Sequence, residues 1–255
     1  MSELEAVRER IRLPEARLVL ARAAVLDGDP VRARQEARRA VREFARHDRP
    51  RWVALARSAA LAACVAIGRP PAPGPREAER VADELVAAGW HAAALDARLL
   101  AGRLRLARGQ TRQGCGQLRQ ASRHRGRGPA AVRARAWYGE ALLRLANGNR
   151  GGALRAVTAG LRILDEYQAT LGATDLRARV SGHRSELVAL GLRVALRDGS
   201  PDRVLEWAER GRARHLLLPP ARPPDDPVLA RNLAELRATV VQTEQIGRAS
   251  CRERV

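Results

Sequence analysis

Turn signals that recur about every forty residues constrain this chain more than any other feature. They read LDGDP around Gly28, AIGRP around Gly68, ARGQT around Gly109, ANGNR around Gly148 and RDGSP around Gly199. The steps between these glycines are 40, 41, 39 and 51 residues, a period in the range of helical repeats. Each Gly follows an apolar-periodic stretch, where a helix ends most easily on a left-handed residue that lacks Cβ. A second periodic stretch starts two or three residues later. It often opens behind Asp, Thr, Asn or Ser, whose side chains cap helix N-termini.

The stretches carry a helical period. After Gly148, Leu154, Val157, Leu161, Leu164 and Leu171 fall at three-, four- and seven-residue steps, one stripe down one face. Before it, Trp137, Ala141 and Leu145 stack at four-residue steps. The unit is helix, tight turn, antiparallel helix, repeated about five times. Composition agrees with this. Hydrophobic content is 45% but aromatic content only 3%, so apolar surface comes from Ala, Leu and Val. Ala and Leu lose little freedom in a helix, and small Ala lets helices approach closely. No alternating run is flanked by hairpin turns, which argues against strands. The expected fold class is all-α.

Positions around the turns repeat in kind. Seven residues before the turn Gly stand Ala21, Leu61, Gly102, Ala141 and Leu192. Five, nine and twelve residues after it stand Ala33, Ala37 and Ala40 in the first unit. The fourth has Ala153, Val157 and Gly160, and the fifth has Val204, Ala208 and Gly211. The third, with Gly114, Leu118 and Ala121, is looser. The second is interrupted by RPPAPGP (69–75), which places its second helix near Arg76.

Over residues 14–218 this pattern resembles the tetratricopeptide repeat family. The resemblance implies a helical-hairpin solenoid over residues 1–218, a right-handed superhelix of about five helix pairs. It also implies that the chain is a scaffold that binds a protein or peptide along its concave face. In that family the position six before the turn Gly usually faces the groove. Here it holds Arg22, Ala62, Arg103, Leu142 and Arg193. Three guanidinium groups there would grip a carboxylate or an acidic peptide through forked hydrogen bonds. Tyr138 and Leu142 would add an apolar floor, whereas Trp137 reads as inter-helix core.

The stretch VLEWAERGRARHLLLPP (204–220) resembles the last repeat of actinobacterial CHAT-domain proteins, in which tetratricopeptide repeats precede a caspase-like domain. Glu206, Trp207, Glu209, Arg210, Gly211, Arg212, Ala213 and Arg214 carry that resemblance as a junction helix. Residues 219–245 then resemble the linker and helix that lead into the partner domain. In that segment Asp225 or Asp226 would cap the helix, with Pro227 at its first position. The resemblance implies that the chain's own C-terminal domain, with its Cys–His dyad, is missing here. The last ten residues, IGRASCRERV (246–255), read as a translated sequencing-library adapter and as non-native sequence. The other reading of the whole is the repeat region of a multidomain transcription regulator.

Little chemistry is legible. Cys64, Cys115 and Cys251 form no CxxC pair, so neither a disulfide framework nor a zinc site is expected. His47, His91, His124, His183 and His215 are scattered over different repeats, and none shares a local motif with a Cys. GRGP (126–129) lacks the strand, spacing and Lys of a phosphate loop. The expectation is no enzyme activity, no catalytic or metal-binding residue and no cofactor in this chain. Net charge is +19, yet every one of the 47 basic residues is Arg. A GC-rich gene writes its surface in this way. The arginines spread over most helices, so a nucleic-acid footprint is the lesser reading. RQASRHRGR (119–127) is expected to be a solvated helix end and connector. The N-terminus has no apolar signal-peptide core, and AALAACVAIG is too short to span a bilayer. No membrane contact and a cytoplasmic location are expected.

Overall fold

A computed structural model describes residues 3–68, 73–170, 174–212, 226–236 and 238–239. Among the described residues there are helices and turns and no strand. The helices are α1 (Glu3–Leu26), α2 (Pro30–Arg46), α3 (Pro50–Ile67), α4 (Pro75–Ala87) and α5 (His91–Ala107). They continue as α6 (Thr111–Ser122), α7 (Ala130–Ala146), α8 (Arg150–Thr170), α9 (Thr174–Asp198) and α10 (Pro201–Arg212). A short 3-10 turn, Arg123–Gly126, follows α6. The basic stretch 119–127 is thus a helix end and its connector, as its composition predicts. The chain is an all-α array of helical hairpins.

The glycine turns are real and left-handed. Gly28, Gly68, Gly109, Gly148 and Gly199 have φ of 78°, 67°, 71°, 75° and 68°. The sequence pattern missed a second series, which returns the chain from each second helix to the next first helix. Its turn residues are Asp48, Gly89 and Gly128, with φ of 49°, 80° and 93°. Asp48 is the only non-glycine residue with positive φ among those described, a conformation that Asp tolerates better than most residues.

Caps follow the polar residues only in part. Asp29 Oδ1 accepts from Arg32 N at 3.0 Å and starts α2. Asn149 Oδ1 accepts from Gly152 N at 2.7 Å and starts α8. Thr111 is not a cap, because α6 already includes it and begins behind Gln110 with no side-chain cap. Pro30, Pro50 and Pro75 open α2, α3 and α4, at a position whose N–H would have no partner within the helix. Farther on, residues 227–236 are helical. Asp226 Oδ1 accepts from Val228 N at 2.8 Å and from Leu229 N at 3.3 Å.

Two compact units are present, residues 1–124 with 142–148, and residues 125–141 with 149–255. In the first unit each of α1 to α6 packs on its chain neighbour. In addition α1 touches α3, and α3 touches α5. The helices α2, α4 and α6 meet no other member of their own layer among the described residues. Two layers therefore alternate, and the α1–α3–α5 layer is drawn closer together. In a stacked array the closer-packed layer is the inner one. The hairpin geometry of this unit agrees with what the tetratricopeptide resemblance implies.

The core is small-residue helix packing. Ala33, Ala37, Ala40, Ala56, Ala63, Ala78 and Ala82 are fully buried. Larger plugs are few: Phe44, Leu85, Leu99 and Leu118 have no exposure or nearly none. Each contributes about 1.5–3 kcal/mol by leaving water. In the first unit a close approach joins α5 and α6. A Cβ on Gly102 would stand 2.8 Å from the Leu118 side chain and 3.3 Å from Gly114 O. Only two glycines facing one another allow those backbones to meet so closely.

One end of this unit is held by aromatic rings. The chain's single Phe, Phe44, stacks on Trp52 at 5.5 Å, and Trp52 meets Trp90 edge-on at 5.5 Å. The Arg49 guanidinium lies 4.9 Å from the Trp52 ring centre and 5.2 Å from that of Phe44. Its Nη2 donates to Glu15 Oε1 at 2.7 Å. Trp90 Nε1 donates to Arg51 O at 2.8 Å. This cluster ties α1, α2, α3 and the start of α5 together.

In the second unit, α9 packs on α8 and on α10. Trp137 of α7 lies beside α8, its Cβ 3.3 Å from where a Cβ on Gly160 would be; it is half-buried between the two helices, with the Arg125 guanidinium over its ring.

Helix α3 is long and apolar enough to cross a membrane by length and composition, with a mean hydropathy of 1.3 over 18 residues. The ten-residue apolar run read from the sequence understated this. Arg51 and Arg57 lie within the helix, and it packs against α2 and α4.

Candidate interaction surface

The inner layer of the first unit places three of the expected groove positions in one register. Arg22 on α1, Ala62 on α3 and Arg103 on α5 each sit six residues before a turn glycine, on three helices that pack in series. All three are exposed. The residues that precede Arg22 and Arg103, Ala21 and Gly102, are buried, so the backbone turns one residue inward and the next outward. Among the described residues neither Arg22 nor Arg103 has an ion-pair partner.

Arg22 shows what kind of surface this is. The residue is open to solvent, yet burial of its guanidinium by surrounding protein lowers its pKa from the usual arginine value. The side chain is thus reached by water on one side and crowded by protein on the other. An incoming carboxylate there would find a cation already short of hydration.

The remaining candidates sort differently. Arg193 of α9 is exposed and belongs to the second unit. Leu142 is half-buried and counts with the first unit. Tyr138 is only 4% exposed, with the Arg135 guanidinium 5.5 Å from its ring centre. It is core, not groove floor. Periodicity gave it an apolar helix and could not say which side of that helix faced inward.

In α10, whose residues 206–212 the sequence offered as a junction, the arginines near its end pair with glutamates of the same helix. Trp207 is 3% exposed, and the Arg210 guanidinium covers its ring at 4.8 Å. Arg210 pairs with Glu206 at 2.7 Å, and Arg212 pairs with Glu209 at 2.7 Å. Arg210 Nη1 also reaches Thr158 Oγ1 on α8 at 3.4 Å. Arg214 lies outside the described residues.

Part-buried ion pairs, which the sequence did not announce, lock the outer layer to the inner one. Arg17 of α1 donates to Glu36 at 2.9 Å and to Glu43 at 3.1 Å on α2. The hydrogen bond to Glu36 is the main reason the Arg17 pKa is raised. Burial alone would raise the Glu36 pKa, but the hydrogen bond from Arg17 and the charges of Arg39 and Arg17 bring it below the usual carboxylate value. Arg105 of α5 grips Glu79 of α4 with Nε at 2.8 Å and Nη2 at 2.7 Å. That hydrogen bonding lowers the Glu79 pKa. A signal existed for each pair, an Arg and a Glu on successive helices, but an Arg-rich sequence hides it.

Two open clefts follow one another along the face of α3 that lies between α2 and α4. One, of about 590 Å³, is lined by Asp48, Arg49, Arg51, Arg57 and Glu84 among others. The other, of about 280 Å³, is lined by Arg38, Arg42, Arg57, Cys64, Glu77 and Arg80. Arg57 borders both, and it bridges to Glu84 of α4 through Nη1 at 2.9 and 2.8 Å. The cysteines are apart in kind: Cys64 is half-buried in the smaller cleft, and Cys115 is buried with its Sγ 3.8 Å from Asn147 Oδ1. Among the described residues no group of three His, Cys, Asp or Glu could hold a metal ion.

No protein-family model matches the chain, and no curated protein matches it. Solved structures do resemble it. A variant of a Podosopora anserina kinesin light chain with nearly identical TPR-like repeats is 18% identical, with a TM-score of 0.49, over 81% of this chain and 95% of that one. A second structure of those repeats is 18% identical with a TM-score of 0.47, over 78% and 93%. PilF of Pseudomonas aeruginosa is 15% identical with a TM-score of 0.43, over 89% and 98%.

Proposed function

We propose that this chain is a protein-interaction scaffold whose inner layer captures an acidic peptide or partner segment, and that it works in the cytoplasm. The observation that carries this reading is the register of Arg22, Ala62 and Arg103, exposed on three successive helices, with Arg22 hemmed in by protein. Two forked donors flanking a small apolar position suit an extended segment with a carboxylate on either side of an apolar residue. The resemblance of residues 204–220 adds that this is the repeat arm of a CHAT-type protein, coupled through α10 to a caspase-like domain. The capped helix that begins at Pro227 supports a further ordered element after the proline-rich connector.

Panning a random-peptide display library on the purified chain tests the capture. The enriched peptides should carry acidic residues, and Arg22→Gln with Arg103→Gln should weaken the selected peptide at least tenfold. Peptides without acidic residues, or affinity that survives both substitutions, would overturn the reading.

A further inference from the structure

Between Arg12 and Asp27, the face of α1 turned away from α2 and α3 is apolar. Leu13 is 47% exposed, Val19 65%, Leu20 48% and Leu26 88%, and Ala16 and Ala23 between them are exposed as well. Leu13, Ala16, Leu20, Ala23 and Asp27 follow one another at three- and four-residue steps. So do Arg12, Ala16, Val19, Ala23 and Leu26. Such a seam is what one helix offers to another.

We propose that this face docks a second copy of the chain, α1 against α1, antiparallel about a two-fold axis between Val19 and Leu20. The stripe is self-complementary about that point. Arg12 of one copy then faces Asp27 of the other, Leu13 faces Leu26, Ala16 faces Ala23, and Val19 faces Leu20. The two Ala pairs flank the axis, where small side chains let the helices close to about 8 Å. Arg12 and Asp27 are exposed at opposite ends of the stripe, about 22 Å apart along the helix. Among the described residues neither has an ion-pair partner. A two-fold contact uses each residue twice, so the dimer gains two such pairs from one of each residue. A single helix pair lies at the small end of specific interfaces. The dimer is therefore reversible, with a dissociation constant on the order of 10 µM.

Sedimentation equilibrium of the full chain tests this from about 1 to 200 µM, with circular dichroism as a check on folding. The chain should pass from monomer to dimer. Ala23→Glu, on the exposed face, should leave it monomeric with unchanged helicity. Arg12→Asp alone, or Asp27→Arg alone, sets like charges opposite one another and should weaken the dimer about tenfold. Mixing those two variants puts every acid opposite a base, so a heterodimer should form with restored affinity. A chain that stays monomeric to 200 µM overturns the proposal. So does a dimer indifferent to Ala23→Glu. Failure of the mixed variants to recover affinity overturns the antiparallel register.

Discussion

Trp207 of α10 lies directly over Gly191 of α9, where a Cβ built on the glycine would overlap the indole ring. The helix pair closes because one partner has no side chain at the crossing. Gly191→Ala should therefore cost about 1–3 kcal/mol through overpacking. Gly182 on the same helix has nothing within 4 Å of its Cβ position. Gly182→Ala should stabilise by about 0.5–1 kcal/mol through helix propensity. Urea denaturation of the two variants should move in opposite directions, and a parallel shift would sink the crossing as described.

Asp48 holds a left-handed backbone, φ 49°, at a turn where its counterparts Gly89 and Gly128 are glycines. Asp48→Gly should relieve that strain and raise stability by roughly 0.5–1 kcal/mol. A lower thermal midpoint would show that the Asp side chain supports the turn in a way its geometry does not display.

The acid limb of stability should follow Glu36 and Glu79. Both carboxylates titrate below their ordinary value in the folded chain, Glu36 despite burial and through Arg17 and Arg39, Glu79 through the Arg105 hydrogen bond. A group with a depressed folded pKa contributes stability that is complete above its unfolded value, about 4.3 for Glu. That contribution is lost as pH falls from there through the folded pKa. Thermal midpoints measured from pH 7 down to pH 2 should drop over that range. In the double variant Glu36→Gln, Glu79→Gln the midpoint should be lower at pH 7 and the fall shallower. An unchanged slope would remove these pairs from the account.

Trp90 Nε1 donates to Arg51 O at 2.8 Å across two helices. Trp90→Phe keeps most of the ring contact with Trp52 and deletes the donor, and should cost about 1 kcal/mol. Trp90→Ala, which also removes the ring, should cost about 3–5 kcal/mol. Equal losses for both would mean that the hydrogen bond carries the whole effect.

The repeat was legible in the sequence for a definite physical reason. Gly28, Gly68 and Gly109 mark turns because a left-handed cap selects glycine. Gly102 and Gly114 were legible as repeat positions, but that their backbones meet at a crossing only the fold decides. The return turns escaped notice because Asp48 is not a glycine, and because Gly89 sits beside Trp90 in a stretch that reads as continuous helix. Tyr138 was misplaced because apolar spacing fixes a face of a helix but not the neighbour it meets. The Arg17–Glu36–Glu43 network was invisible because partner choice among 47 arginines depends on which helices touch, and only the fold decides that. Arg22 could be named from its register, but its crowded surroundings could not.

Helices α3 and α4 are joined through the proline-rich segment 69–75, have two clefts along their seam, and are bridged between those clefts by Arg57 and Glu84. In the first unit most of the load path runs through single joints between neighbours, and α3–α4 is the most lightly fastened of those between successive helices. A pull or twist applied at either end is therefore taken up mostly there. The compliance of the stack is concentrated at one hinge line, with stiffer blocks on each side of it.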